Sequence, residues 1–283
     1  MIKIVFLTLL ISLTSKVYAK KIIIGVPHDV LDKFQSFMSS REVSDIHSYR
    51  GKESNRDVVE VVLLLKILNL KKGQYTFLKV DSYNRAIKLI QSGRIDLYAN
   101  TIWYGDGDRK RMQYTLPVIR NGEFTAGIYV RENSPYLTDP KLNIRNLKFL
   151  SNKAWTRDWK TLKNMKVRSV SSTTTWDSIM KMIKAKRSDA IMASFPPNNT
   201  LIRYNKDNDL SLYPVPNKRI AIEGSRHWIV SMKSKNSPGL LGKINSGIKK
   251  FRKDREFFKA FIQSGFFNER TITWKIINKK DHP

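Results

Sequence analysis

Two spacings of apolar residues alternate along the chain, and together they predict an α/β protein. Apolar residues three and four positions apart predict helices, and short, nearly continuous apolar runs predict buried strands. The predicted helices are 57–70, 83–91, 156–164, 176–185 and the long region 239–264. The predicted strands are 21–26, 75–80, 95–99, 124–131, 148–151, 166–170, 189–193, 210–215 and 227–232. The stretch 28–56 is polar and irregular, apart from one expected helical turn at 34–38.

A helix–turn–strand unit occurs twice, in segments 85–101 and 178–194. Such a unit used twice predicts two similar α/β lobes, each a mostly parallel sheet flanked by helices. The expected limits are 20–125 with 233–283 for lobe 1, and 126–232 for lobe 2, joined by long strands near 124–131 and 227–232. The matching positions are Lys88 and Lys181, Ile90 and Ile183, Arg94 and Arg187, and Asp96 and Asp189.

The N-terminus has the features of a secretory signal peptide. Lys3 supplies positive charge, 4–13 is apolar, and Val-Tyr-Ala at 17–19 fits a signal-peptidase site, so we expect residues 1–19 to be removed. The apolar run is too short to span a bilayer, and a buried first strand is the alternative. With no cysteine near the site, a lipoprotein anchor is excluded. The sequence predicts a soluble periplasmic protein without stable membrane insertion.

Composition narrows the possible chemistry. The chain has no cysteine, and its four histidines are scattered, so neither a metal site nor a bound cofactor is expected. The formal net charge is +28, and removal of Lys3 and Lys16 leaves +26. Such a charge favours anionic surfaces or ligands, although a lysine-rich solvated surface is the alternative. No nucleic-acid-binding motif accompanies the charge, so nucleic acid is not an expected partner.

The order of the motifs resembles a known family. After 85–101 come Tyr-Thr-Leu-Pro-Val at 114–118 and the apolar strand 127–131. This succession resembles the periplasmic solute-binding proteins of the polar amino acid type, family 3, in which a Ser-Gly-Arg/Lys-x-Asp turn precedes Phe-Ser-x-Pro-Tyr. The chain departs from that pattern at Thr115 and Val118. The segment 184–193 is similar to the family's second-lobe turn, with Lys186 in place of glycine.

The resemblance implies a type 2 periplasmic-binding clamshell with two lobes. Members of the family close on a small molecule and deliver it to an inner-membrane ABC transporter permease. By this resemblance the chain is expected to bind a small polar molecule, anionic molecules included, and to act as a monomer.

The resemblance also implies which arginine receives the ligand. Family members bind the ligand carboxylate with an arginine in the loop after the first repeat, through a bidentate charge-assisted pair. Arg109 is the nearest match, at one residue more than the usual spacing, and Arg111 is second. The alternative is a solvated loop arginine.

A second departure concerns the ligand's amino group. The family places an aspartate five residues beyond the second turn aspartate, and Ser194 stands there. Because a buried ammonium without a carboxylate partner is unfavourable, an α-amino acid is less expected. Ser194 and its repeat partner Thr101 offer hydroxyl groups to a neutral or anionic ligand, or else cap the ends of strands.

Aromatic and polar residues collect at the same predicted edge. Trp103 and Tyr104 lie in a Gly/Asp-rich loop, and Trp155 starts a helix whose free N–H groups suit an anion. Asn152 precedes that helix, and Arg226 belongs to a Ser-Arg-His-Trp run where the chain should recross between lobes. The alternatives are core packing for the tryptophans and a solvated strand face for Arg226.

Three other functions stay open at this stage. The first is an enzyme similar to cyclohexadienyl dehydratase, which needs a placed acid or base. Its candidates, Asp106, Asp108, His28 and His227, show no catalytic spacing. The second is a sensor that docks on a membrane receptor. The third is direct binding of a membrane or polyanion by the basic surface.

Overall fold

A computed structural model describes residues 21–279. The predicted signal peptide, 1–19, lies outside the described residues. The strands, in chain order, are β1 Ile22–Pro27, β2 Tyr75–Val80, β3 Leu97–Trp103, β4 Met112–Tyr114, β5 Thr125–Arg131, β6 Lys148–Ser151, β7 Ser169–Ser172, β8 Ala190–Ala193, β9 Arg203–Asn205, β10 Leu210–Ala221, β11 Arg226–Ser231 and β12 Lys275–Ile276. The helices are α1 His28–Met38, α2 Arg56–Leu68, α3 Tyr83–Ser92, α4 Thr156–Asn164, α5 Trp176–Lys184, α6 Ser237–Lys253 and α7 Glu256–Gln263.

The strands form two mixed sheets. The first has the order β2-β1-β3-β11-β4, in which β1 runs parallel to β2 and β3, and β11 runs antiparallel. The second has the order β12-β10-β5-β8-β6-β7, with β9 beside β10. Strands β6, β7 and β8 are parallel, whereas β5 runs antiparallel to β8. Helices cover these sheets, which confirms the predicted α/β architecture.

Two helical regions differ from the sequence prediction. The expected turn at 34–38 is part of an 11-residue helix, α1, because Val30, Leu31 and Phe34 also face the core. The expected long helix at 239–264 is two helices, α6 and α7, separated at Arg255, whose φ is 60°. A left-handed residue interrupts helical hydrogen bonding, so the chain turns there. None of the helices within 21–279 combines the length and the apolar content needed to cross a bilayer.

The repeated aspartates hold equivalent strands in place. Asp96 accepts the N–H of Ile23 at 2.7 Å, which ties the start of β1 to the end of the first repeat. Asp189 accepts the N–H of Lys148 at 2.9 Å and does the same for β6. The two copies therefore share a structural role, because each aspartate ties the strand that follows it to the first parallel strand of its own sheet.

The chain passes between the two sheets at other places than those expected from the sequence. Strand β11 pairs with β3 and β4 of the first sheet, although 227–232 was expected in lobe 2. Trp228 is fully buried in the first lobe's core, which favours this pairing. Strand β12 instead pairs with β10 of the second sheet, where Arg219 donates to the carbonyls of Ile272 and Trp274. The chain thus returns to the first sheet at 222–225 and crosses again after α7.

The two copies of the repeat differ at the turn after the helix. Gly93 follows α3 with φ of 79°, and Lys186 follows α5 with φ of 59°. A side chain in the left-handed region is strained, whereas glycine is not. Replacing Lys186 with glycine should raise the free energy of unfolding by about 1 kcal/mol.

Lys181→Gly, inside α5, is the matched control and should lower that free energy by about 1 kcal/mol. Urea denaturation measures both changes. A Lys186→Gly variant less stable than the wild type would contradict the assignment of strain to this turn.

Candidate functional site

A cleft of about 580 Å³ lies between the two sheets. It lies where β3 and β8 end and where α4 begins. Ligand sites in α/β proteins are expected at the carboxyl ends of strands. The first lobe lines it with Arg56, Tyr83, Trp103, Asp106 and Arg226. The second lobe and the crossing segments line it with Phe124, Ala126, Ala154, Trp155, Thr156, Arg157, Asp158, Met192, Ala193, Ser194 and Ile222.

A buried hydrogen-bonded charge cluster forms the floor of the cleft. Glu60 of α2 is fully buried and accepts the N–H and the hydroxyl of Thr101, each at 2.8 Å. The Thr101 hydroxyl in turn accepts from Nε of Arg226 at 2.9 Å, and its carbonyl accepts from Nη2. Arg56 lies 3.7 Å from Glu60. Thr101 therefore joins one carboxylate to Arg226 on the neighbouring strand.

Arg226 keeps one unpaired edge. The residue is only 7% exposed, and Nη1 makes no hydrogen bond within residues 21–279. The guanidinium carbon lies 4.9 Å from the centre of the Trp103 ring, which fixes its plane. Burial and the nearby charge of Arg56 lower the pKa of Arg226 to about 10, so it stays cationic at neutral pH. A buried cation with a free donor suits an anionic group of a ligand.

Arg157 connects the lobes across the cleft. From α4 of the second lobe it donates to the Tyr104 carbonyl at 2.6 Å and lies 3.4 Å from Asp106, both in the first lobe. Tyr83 donates to the other oxygen of Asp106 at 2.8 Å and accepts the Trp103 N–H at 3.0 Å. Asp106 is thus held in position on one side and paired with Arg157 on the other.

The start of α4 presents free backbone donors to the cleft. Trp155 precedes the helix and supplies no side-chain cap, so the N–H groups of Thr156, Arg157 and Asp158 have no partner in the described residues. Such groups and the helix dipole favour an anion. An oxyanion between α4 and Arg226 would contact both lobes.

Asp158 adds a carboxyl group to the second-lobe wall. No hydrogen-bond or ion-pair partner among residues 21–279 reaches it, and burial raises its pKa to about 6. A carboxylate in this position can pair with a cationic group of a ligand, and that pairing would offset its burial.

Four predicted site residues line the cleft: Trp103, Trp155, Ser194 and Arg226. Trp155 is 37% exposed and lies 6.4 Å from the ring of Trp176. The Ser194 hydroxyl already accepts from Arg203 at 2.8 Å.

The other predicted residues lie outside the cleft lining. Arg109 is exposed, donates to the hydroxyl of Tyr104 at 2.7 Å and lies over the ring of Tyr104, and neither residue lines the cleft. Arg111 is paired with Asp108 at 3.4 Å. The Thr101 hydroxyl is engaged by the charge cluster.

Asn152 shapes the loop before α4 instead of facing the cleft. It donates to the Thr174 carbonyl at 2.9 Å and accepts the Ala154 N–H at 2.8 Å. Its contribution to the site is thus the position of the α4 N-terminus.

Sequence reasoning missed Arg56, Glu60, Tyr83 and Asp158. Only Glu60 carried a visible signal, since it is a single carboxylate inside the apolar run of α2. An ionisable residue on the buried side of a helix is unfavourable unless it is paired.

Asp158 generates a prediction on stability. Its pKa in the folded protein, about 6, lies above its ordinary value of 3.8, so the folded state holds the proton more tightly. Stability from this group is full below about pH 4 and is lost as pH rises through about 6. Asp158→Asn should therefore raise the free energy of unfolding by about 2 kcal/mol above pH 7 and change it little near pH 4.

Asp177→Asn is the control, because Asp177 also lies in the first turn of a second-lobe helix, α5, but its pKa is lowered by hydrogen bonds from Lys181 and Asn208. That variant should not be stabilised at neutral pH. Urea unfolding at both pH values measures the difference, and a pH-independent effect of Asp158→Asn would refute the role of burial.

Comparison with known proteins identifies the fold. No protein-family model and no curated protein matches the sequence. Among solved structures, the probable amino-acid ABC transporter extracellular-binding protein YtmK of Bacillus subtilis is 12% identical with a TM-score of 0.56. The match covers 87% of this chain and 97% of that one.

Two further structures agree. The second substrate-binding domain of GlnP from Lactococcus lactis, in an open conformation, is 13% identical with a TM-score of 0.52, covering 86% of this chain and 94% of that one. The unliganded, open L-cystine solute receptor of Neisseria gonorrhoeae is 14% identical with a TM-score of 0.51, covering 91% and 97%. At these identities the similarity establishes the fold alone. The described chain has the type 2 periplasmic binding fold, which substrate-binding domains of amino acid ABC transporters share.

Proposed function

We propose that this chain is an exported solute-binding protein that captures a small polar solute with an anionic group. The observation that carries the proposal is the unpaired edge of Arg226 at the floor of a cleft between two lobes. The N–H groups at the start of α4, which have no partner within residues 21–279, face the same space from the other lobe. An anion held between them would favour the closed arrangement, since ligands shift a protein toward the state they bind better.

The size and lining of the cleft agree with this role. A volume of about 580 Å³ lies within the range of small-molecule sites. Trp103, Trp155 and Phe124 supply apolar walls, and the charged groups lie between them. We propose that the solute passes to an inner-membrane ABC transporter permease, and that the protein works as a periplasmic monomer after removal of 1–19.

The expectation against α-amino acids needs revision. It rested on Ser194, which stands where the family has an aspartate. Asp106 and Asp158 line the same cleft, so an ammonium group has carboxylate partners there. Zwitterions therefore remain candidates beside simple organic anions.

Catalysis has less support than binding. Asp108, His28 and His227 are not among the residues that line the cleft. The ring of His227 is engaged by Ser225 and the Thr115 carbonyl, and burial lowers its pKa. Asp106 is held by Tyr83 and Arg157, which suits a fixed structural charge.

Thermal-shift screening followed by calorimetry tests the proposal, with amino acids and organic acids as ligands. At equal concentration the solute that binds most tightly gives the largest shift, because stabilisation grows with the logarithm of affinity, and we expect that solute to carry an oxyanion. Arg226→Gln should weaken its binding about 10- to 100-fold, as for the loss of a charge-assisted hydrogen bond. Arg226→Lys keeps the positive charge beside Glu60, so this variant should fold normally. It loses the planar guanidinium, so its affinity for the solute should also be lower than that of the wild type.

Arg109→Gln is the matched control and should leave the affinity within about twofold, since Arg109 is exposed outside the cleft. Asp158→Asn then separates ligand classes: it should weaken a zwitterion and spare a simple anion. Undiminished binding by both Arg226 variants would sink the proposal, as would a loss confined to Arg109→Gln.

A further inference from the structure

One side of α6 concentrates the positive charge of the first lobe. Lys243, Lys249, Lys250 and Lys253 are all exposed. At 100° per residue they fall within about one third of the helix circumference. The exposed residues between them are small: Gly239, Gly242 and Ser246. The first acidic residue after β11 is Asp254, at the end of the helix.

The start of α7 extends this charge. Arg255 and Lys259 are exposed, and Phe258 is 41% exposed with the Arg255 guanidinium 5.2 Å from its ring centre. We call Lys243, Lys249, Lys250, Lys253, Arg255, Phe258 and Lys259 the basic face.

Nearby acids do little to neutralise the basic face. Asp254 pairs with Lys250, whereas Glu256 turns inward to Lys66 at 3.0 Å and to the Tyr49 hydroxyl at 2.5 Å. Lys243, Lys249 and Lys253 form no ion pair within residues 21–279. The six basic side chains of the basic face therefore have one exposed carboxylate beside them, that of Asp254.

The basic face is separate from both the core and the cleft. The opposite side of α6 and α7 is buried in the first lobe's core through Leu240, Ile244, Ile248, Phe257 and Phe261. None of the residues of the basic face lines the cleft. Packing and solute binding therefore leave the charge unexplained, and contact with the ring of Phe267 at 6.4 Å covers only part of the Phe258 ring.

We propose that the basic face docks the protein on an anionic phospholipid surface. Unpaired lysines on long side chains match a dense, diffuse layer of negative headgroups, which attracts each basic residue near it. The small residues between the lysines allow the helix to approach a plane closely. The aromatic ring of Phe258 suits the boundary between headgroups and acyl chains. Docking would hold the protein near the membrane independently of solute.

Vesicle co-sedimentation tests this with the purified protein. Phosphatidylcholine vesicles with about one third phosphatidylglycerol should bind it near 0.1 M salt, and raising salt to about 0.5 M should release it. Pure phosphatidylcholine should not bind it. The triple variant Lys243→Gln, Lys249→Gln, Lys253→Gln should reduce partitioning about 100-fold, at about fivefold per lysine. Phe258→Ser should reduce it further.

The matched control removes three lysines from the second lobe. Lys141, Lys160 and Lys206 are exposed, so their replacement with glutamine gives the same net charge. This control should change partitioning less than about threefold. An equal loss in both triple variants, or no binding to anionic vesicles, would overturn the proposal. Tighter, salt-sensitive binding to polyglutamate than to vesicles would also overturn it and indicate an acidic protein partner.

Discussion

The buried hydrogen-bonded cluster of Glu60, Thr101 and Arg226 is the constraint on which the rest of the site depends. A carboxylate inside the apolar helix α2 is unfavourable unless donors and cations surround it. Thr101 of β3 provides two donors, and its hydroxyl also receives Arg226 from β11. One carboxylate thereby fixes a helix and two strands of the first lobe. It also determines that the remaining edge of Arg226 faces the cleft.

The same cluster reaches the crossing between lobes. Arg56 pairs with Asp57 and lies 5.6 Å from the rings of Phe124 and Phe266. Phe124 immediately precedes β5, which leads into the second lobe, and Phe266 follows α7. The guanidinium group of Arg56, which lies beside Glu60, therefore packs against two segments at which the chain crosses between the lobes. Opening and closing of the lobes should be coupled to the packing of this arginine, because its partners lie on both sides of the crossing.

Arg157 connects the two lobes across the cleft through Tyr104 and Asp106. A solute can shift closure only by binding one arrangement better than the other. The unpaired donors of Arg226 and of the α4 N-terminus are the groups that can supply this difference. Hydrophobic walls alone would give little discrimination between solutes of similar size.

Local patterns in the sequence predict the fold well, because each lobe is built on a repeated unit. Asp96 and Asp189 fulfil equivalent roles, and Lys186 keeps the turn conformation of Gly93 despite the side chain. Predictions of side-chain direction were weaker. Arg109 belongs to the expected loop, yet spacing along the chain does not reveal that it pairs with Tyr104 and does not line the cleft.

The sequence also does not reveal which residues distant along the chain contact each other. Arg226 and Thr101 are 125 residues apart, and their meeting follows from the pairing of β11 with β3. The sequence marks both residues as candidates for the cleft. Only the strand order shows that one supports the other.

A crystal structure with the solute that most raises the melting temperature would show how the cleft holds its ligand. We expect an oxyanion of the solute to accept a hydrogen bond from Nη1 of Arg226. The N–H groups at the start of α4 should contact the same solute from the second lobe. A solute bound outside the cleft, or one that places an uncharged or cationic group against Arg226, would refute Arg226 as the anion-binding residue.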